Sequence, residues 1–182
     1  INIIRMKGQK MDGSIQVYYG NGRGKTTAAL GLGIRAAGVG KQVIMVQFLK
    51  KKHSDTLDFL KKLEPELQIF RFEKAACGYS DLSPKEKQEQ MLNIKNALGY
   101  SRKVLDTGQC DLLILDEIFG LVDYNIITIE ELMDLIAVKK DSMDLILTGR
   151  NLPEEVREIA DCVYSIQREK EKTPEILAQG IS

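Results

Sequence analysis

The run Gly20-Asn21-Gly22-Arg23-Gly24-Lys25-Thr26-Thr27 constrains this chain more than any other segment. Ser14 to Tyr19, rich in β-formers, precedes it and reads as a strand. A small-residue stretch from Lys25 to about Ala37 follows and reads as a helix, stopped by Gly38-Val39-Gly40. A strand that breaks into glycines and resumes as a helix is the setting of a phosphate loop. The glycines let successive N–H groups point inward, and the helix start adds the positive end of its dipole. Lys25 supplies a point charge for phosphate oxygens, and Thr26 a hydroxyl for Mg²⁺ or Mn²⁺. The loop is a shortened variant: where the common form has its first glycine, this chain has Tyr19, and Gly20 comes one residue later. A ligand-free turn would need the glycines but not the charge and hydroxyl chemistry of Gly-Lys-Thr-Thr.

Elsewhere, short apolar runs alternate with helical segments, the pattern of an α/β protein with a mainly parallel sheet. Strands are expected at 42–49, 67–72, 112–115, 144–148 and 162–166. Helices are expected at 54–63, 83–106 and 128–138, and a last one opening at Asn151-Leu152-Pro153-Glu154. Ser83-Pro84-Lys85-Glu86 combines a capping box with proline at the first helical position. Residues 75–82 read as a loop. The fold class that follows is a P-loop NTPase-like (RecA-like) sheet with helices on both faces. A length of 182 residues suits one domain, expected at 14–167. It is flanked by a flexible leader (1–13), without the apolar core of a secretory signal, and a polar, mobile tail (168–182).

The second chemical signal is Leu112-Leu113-Ile114-Leu115-Asp116-Glu117. Four apolar residues bury the strand, and two carboxylates emerge at its carboxyl end, the edge where parallel sheets bind ligands. One of Asp116 and Glu117 could hold magnesium opposite Thr26, and the spacing does not say which. Together with the glycine loop this makes a nucleoside triphosphate, ATP by default, with Mg²⁺ the expected ligand.

Composition excludes other classes. Lys plus Arg and Asp plus Glu are both 26, so no basic excess points to nucleic acid. No apolar run reaches the length of a membrane span. The cysteines, Cys77, Cys110 and Cys162, form no CxxC pair, which suits reduced thiols in the cytoplasm. His53 is the single histidine, so multi-histidine metal sites are excluded; it follows a lysine run and reads as solvated. Lys50, just past the second strand, lies near the expected ligand edge. Arg23 and Arg150 are candidate phosphate contacts, each with a solvated alternative. Of Tyr18 and Tyr19, at least one is expected in the core.

Val17-Tyr18-Tyr19-Gly20-Asn21-Gly22-Arg23-Gly24-Lys25-Thr26-Thr27-Ala28-Ala29-Leu30-Gly31 resembles the P-loop class of ATP:corrinoid adenosyltransferases, whose loop is Gly-Asn-Gly-Lys-Gly-Lys-Thr-Thr and equally short. Arg35 to Gly40, Val46-Gln47-Phe48-Leu49-Lys50, Leu115-Asp116-Glu117, Thr148-Gly149-Arg150 and Ala160-Asp161-Cys162-Val163 follow in the family's order. The resemblance runs from about Ile15 to Ile166. It implies that reduced corrinoid, with cobalt as Co(I), attacks the 5′ carbon of ATP and inorganic triphosphate leaves. It also implies Mg²⁺, a homodimer and a flavoprotein reductant. Residue by residue, it puts Gly20, Asn21, Gly22, Arg23, Gly24, Lys25, Thr26, Thr27 and Arg150 on the triphosphate, with Lys25, Thr26 and Arg150 acting on the leaving charge. Thr26, Asp116 and Glu117 fall to the metal.

Two segments depart from the family pattern. The aromatic Gly-Phe-Thr-Trp loop, which helps remove the lower cobalt ligand, is Gly78-Tyr79-Ser80-Asp81 here, so Tyr79 is the one aromatic assigned to the corrinoid. The family's Lys-His-Pro-Phe is matched only by Lys170, with Glu171 in place of histidine, and Leu177-Ala178-Gln179-Gly180-Ile181 keeps part of the segment after it. Two other readings use the same residues: a phosphoryl-transferring ATPase or small-molecule kinase, and a corrinoid-carrying module without chemistry. The shortened loop and the lack of an arginine-rich lid weigh against the first.

Overall fold

The structure, a computed structural model, describes residues 12–50, 60–72 and 82–170. Six strands form one sheet: β1 (Ile15–Tyr19), β2 (Val43–Gln47), β3 (Leu67–Arg71), β4 (Leu112–Asp116), β5 (Asp144–Gly149) and β6 (Cys162–Ser165). Their order is β3-β2-β4-β5-β1-β6, and every pairing is parallel. The helices are α1 (Lys25–Ala37), α2 (Pro84–Thr107), α3 (Ile118–Asp123), α4 (Ile129–Ala137) and α5 (Glu154–Ile159). This is the expected P-loop NTPase-like architecture.

The apolar strands are buried on both sides. Along β4, Leu113 and Leu115 face one core cluster with Phe48, Ile94, Leu105 and Phe119, while Leu112 and Ile114 face the other with Ala29, Met45 and Ile146. Double burial is why these strands read as continuous apolar runs rather than alternating ones. Each fully buried leucine or isoleucine contributes about 1.5–3 kcal/mol. Helix α1 comes close to the second face at Gly33, where an added Cβ would meet Ile114 Cδ1 at 3.1 Å. Tyr18 and Tyr19 divide between the two faces, each partly buried against a different cluster.

The capping box at Ser83 forms as expected, and a second one, Thr128 with Glu131, opens α4. Two differences from the sequence reading have local causes. Strand β2 stops at Gln47 rather than Leu49, because Leu49 takes a left-handed φ of 55° and turns the chain. Helix α3 was not expected: its six residues are too few to show a period, and Ile118, Phe119, Gly120 and Leu121 are all buried. Of the expected helix at 54–63, only the end is described, and there Lys61–Leu63 form a 3₁₀ turn. His53, Cys77, Tyr79 and residues 171–182 lie outside the described residues.

The amino end of the described chain is tied down. Gly13 bonds through its N–H to the Asp141 carbonyl, and Ser14 N–H donates to Asp144 Oδ1 at 2.9 Å. Cys110 is buried, which pushes its thiol up to about 12, while Cys162 is exposed on the edge strand β6. Alkylation of the folded protein near pH 8 should therefore label Cys162 and spare Cys110, as read by peptide mass spectrometry.

Candidate active site

The glycine loop joins β1 to α1 and is wedged between the ends of β5 and β6. Gly20 N–H donates to the Arg150 carbonyl at 3.0 Å, and Gly22 N–H to the Ile166 carbonyl at 2.9 Å. Ile166 N–H in turn donates to the Tyr19 carbonyl at 2.7 Å. Gly20 has a φ of 120°, and a Cβ there would stand 2.3 Å from the Ile166 carbonyl oxygen; one on Gly22 would stand 2.8 Å away. Glycine is thus required at both places by close backbone approach, and at Gly20 also by conformation. Asn21 Oδ1 accepts from Arg168 N–H at 3.2 Å, so the chain just after β6 also lies against the loop.

The first helical bond of α1 runs from Ala28 N–H to the Gly24 carbonyl. The N–H groups of Lys25, Thr26 and Thr27 therefore have no intrahelical acceptor. Gly24, at φ 109°, offers no side-chain cap. A helix start left open in this way is suited to an anion. Lys25 folds back over the loop, its Nζ donating to the Gly20 carbonyl at 2.7 Å and the Gly22 carbonyl at 2.9 Å. Burial lowers its pKa below the ordinary lysine value; Glu117 pushes it back up, and the charges of Arg150 and Lys50 pull it down. Three cations thus act on one small cradle, and a bound polyanion would relieve both the burial cost and their repulsion.

Opposite Thr26 stands Asp116, a carboxylate with no solvent exposure. It accepts from Thr26 Oγ1 at 2.9 Å, Thr148 Oγ1 at 2.7 Å and Gln47 Nε2 at 3.0 Å. Lys50 Nζ lies 3.5 Å from its Oδ2. The carboxylate at Thr26 is therefore that of Asp116. Glu117, the next residue, takes a left-handed φ of 64° at the start of α3, while its N–H donates to Thr148 Oγ1 at 2.9 Å.

The register explains this convergence. Gln47 is paired with Arg71 on β3 and with Asp116 on β4, and Leu115 with Leu147 on β5, which brings Asp116 level with Thr148. One polar row thus crosses the carboxyl edge of the sheet, and Arg71 Nε extends it by donating to Gln47 Oε1 at 2.7 Å. That bond fixes the Gln47 amide so that its NH₂ end faces Asp116. Sequence reasoning did not assign Arg71, Gln47 or Thr148 to the site. Their signal was present: each is a polar residue at or near the carboxyl end of an apolar strand.

Of the residues expected in the site, the structure brings together Gly20 through Thr27, Asp116, Glu117 and Arg150. The Arg150 side chain is exposed, as are those of Asn21, Arg23 and Thr27. Tyr79 is outside the described residues. Thr148→Val keeps the shape but leaves the Glu117 N–H without its acceptor. It should lower stability by about 1–3 kcal/mol in urea denaturation.

Comparison with known proteins gives a family match, two curated relatives and a structural neighbour. A family model described as ATP:corrinoid adenosyltransferase BtuR/CobO/CobP matches residues 11–181. The corrinoid adenosyltransferase of Escherichia coli K12 is 30% identical over 155 residues, covering 85% of this chain and 76% of that protein. The corrinoid adenosyltransferase CobA of Salmonella typhimurium is 30% identical over 159 residues, covering 87% and 79%. Among solved structures, a KaiC-like protein of Pyrococcus horikoshii superposes with a TM-score of 0.56 at 20% identity, covering 88% of this chain and 75% of that one, which speaks to the fold alone. With the family match spanning nearly the whole chain, including the short glycine loop and the Asp116 strand, this protein belongs to the ATP:corrinoid adenosyltransferase family.

Proposed function

We propose that this protein transfers the 5′-deoxyadenosyl group of ATP to the Co(I) centre of a reduced corrinoid, releasing triphosphate. The observation that carries the reading is the short loop closed by Lys25 and the β5 and β6 ends, within a family match over residues 11–181. In the step itself a cobalt–carbon bond forms and the bond from C5′ to its oxygen breaks. The electron pair of that bond leaves on triphosphate, and Co(I) is formally oxidised to Co(III). Cobalt is the nucleophile, so the protein needs no general base.

What remains for the protein is alignment and charge stabilisation. The open amides at the start of α1 hold phosphate oxygens, and Lys25 exchanges its two loop carbonyls for the departing triphosphate. Arg150 adds charge from the end of β5, and Arg23, Asn21 and Thr27 border the same cradle. Thr26 Oγ1 and the Asp116 carboxylate, 2.9 Å apart, fit a Mg²⁺ or Mn²⁺ ion, and a cationic group, Lys50 Nζ, already lies beside both oxygens. Such an ion, when bound, screens charge on the triphosphate. Glu117 borders that position and balances Lys25. Tyr79 is assigned to the corrinoid. A homodimer, a flavoprotein reductant and a cytoplasmic location complete the proposal. No helix among the described residues is long and apolar enough to cross a membrane.

The test is anaerobic incubation with Mg-ATP and chemically reduced cobalamin. Adenosylated corrinoid and inorganic triphosphate are the expected products. Orthophosphate or ADP instead would mean phosphoryl transfer, and binding without product would mean a carrier.

A further inference from the structure

Lys50 occupies a place that the adenosyl-transfer reading does not explain. Its Nζ is 3.2 Å from Thr26 Oγ1 and 3.5 Å from Asp116 Oδ2. Those are the two groups that would take the metal. The Thr26 hydroxyl donates to Asp116 and accepts from Lys50, so ammonium, hydroxyl and carboxylate form a closed set around one position.

The backbone puts Lys50 there through the two residues before it. Phe48 is fully buried, and its N–H donates to the Asp116 carbonyl at 2.9 Å. Leu49 adopts a left-handed φ of 55°, and its side chain sits over Gly120, where a Cβ would stand 2.6 Å from Leu49 Cδ1. This turn carries Lys50 back over the first turn of α1. A leucine in that conformation is uncommon and persists only where its surroundings hold it. The lysine side chain keeps 29% exposure, so its flexible stem has room to swing.

We propose that Lys50 is the resident counter-cation of Asp116, holding the metal position in the free protein and moving onto the triphosphate when metal and nucleotide enter. The proposal rests on the reading of Thr26 and Asp116 as the metal pair. A buried carboxylate needs a cation nearby. A divalent ion competes with the ammonium for the same two oxygens and then repels it. Polyphosphate supplies the next anion within reach. Lys50 thus disfavours metal without nucleotide and favours metal with it, and so acts as a positioning residue that couples the two.

The experiment compares Lys50→Met with the unmutated chain in two binding measurements. In the first, Mn²⁺ binding to nucleotide-free protein is read from the electron paramagnetic resonance of the free ion. In the second, inorganic tripolyphosphate is titrated calorimetrically with Mg²⁺ present. The variant should bind Mn²⁺ roughly tenfold tighter and Mg-tripolyphosphate roughly tenfold weaker. A purely structural lysine would change both in the same direction or neither, and either result overturns the proposal. Asp116→Asn, run beside it, separates the two failures: unmutated Mn²⁺ affinity in that variant would remove the metal reading itself. Should Lys50→Met not fold, Lys50→Gln serves. On the unmutated chain, the Lys50 side-chain ¹⁵N resonance should shift on adding Mg²⁺ and tripolyphosphate; an unmoved resonance overturns the proposal.

Discussion

Lys25→Ala should lower the turnover of adenosyl transfer by roughly a hundredfold to a thousandfold, about 3–4 kcal/mol of barrier. Two losses combine. In the proposed reaction the ammonium meets the charge that builds on the leaving triphosphate, and in the free protein it ties the loop by its bonds to the Gly20 and Gly22 carbonyls. Its lowered pKa reflects burial in a cradle that also feels Arg150 and Lys50, so the site gains when a polyanion arrives. The measurement is single-turnover formation of adenosylated corrinoid under anaerobic conditions, with ATP binding determined separately. Near-normal turnover would remove Lys25 from the reaction. Lys25→Arg should rescue poorly, because a planar guanidinium does not reproduce the compact point charge that fits between two carbonyls.

Asp116→Asn should be as damaging to activity, by at least roughly a hundredfold, and should also cost about 1–3 kcal/mol of stability. The carboxylate accepts from Thr26, Thr148 and Gln47 and faces Lys50 without solvent contact. Every neighbour is a donor. An amide replaces one acceptor oxygen with an NH₂ group, which cannot accept from any of them, and it no longer neutralises Lys50. Urea denaturation measures the stability change, and metal titration with turnover measures the functional one. Unchanged metal dependence would show that Asp116 serves only the fold.

Much of this architecture was legible in the chain itself. The sharp change from β-branched residues to glycines to small helix formers fixes the β1–loop–α1 unit, and the helix ran over Lys25–Ala37 as read. Doubly buried strands announce themselves as unbroken apolar runs, which is why 112–115 was found within one residue. The same logic failed at α3, where six residues, the first four of them buried, show too little of a polar face to betray a helix. It also overran β2 by two residues, because Phe48 and Leu49 are as apolar as the strand before them.

Lys25, Thr26 and the Asp116–Glu117 pair could be named from short-range pattern, since their chemistry lies within a few residues of a strand end. Which of the two carboxylates meets Thr26 could not, because it depends on how the chain turns at the strand end, with Glu117 left-handed at a φ of 64°. Nor could the row Arg71–Gln47–Asp116–Thr148, drawn from four strands far apart in the chain. Its members become neighbours only through parallel register, and register is a property of the assembled sheet. Local sequence specifies what each segment can do; the stacking of strand ends along one edge specifies which side chains must share a proton, a charge or an ion.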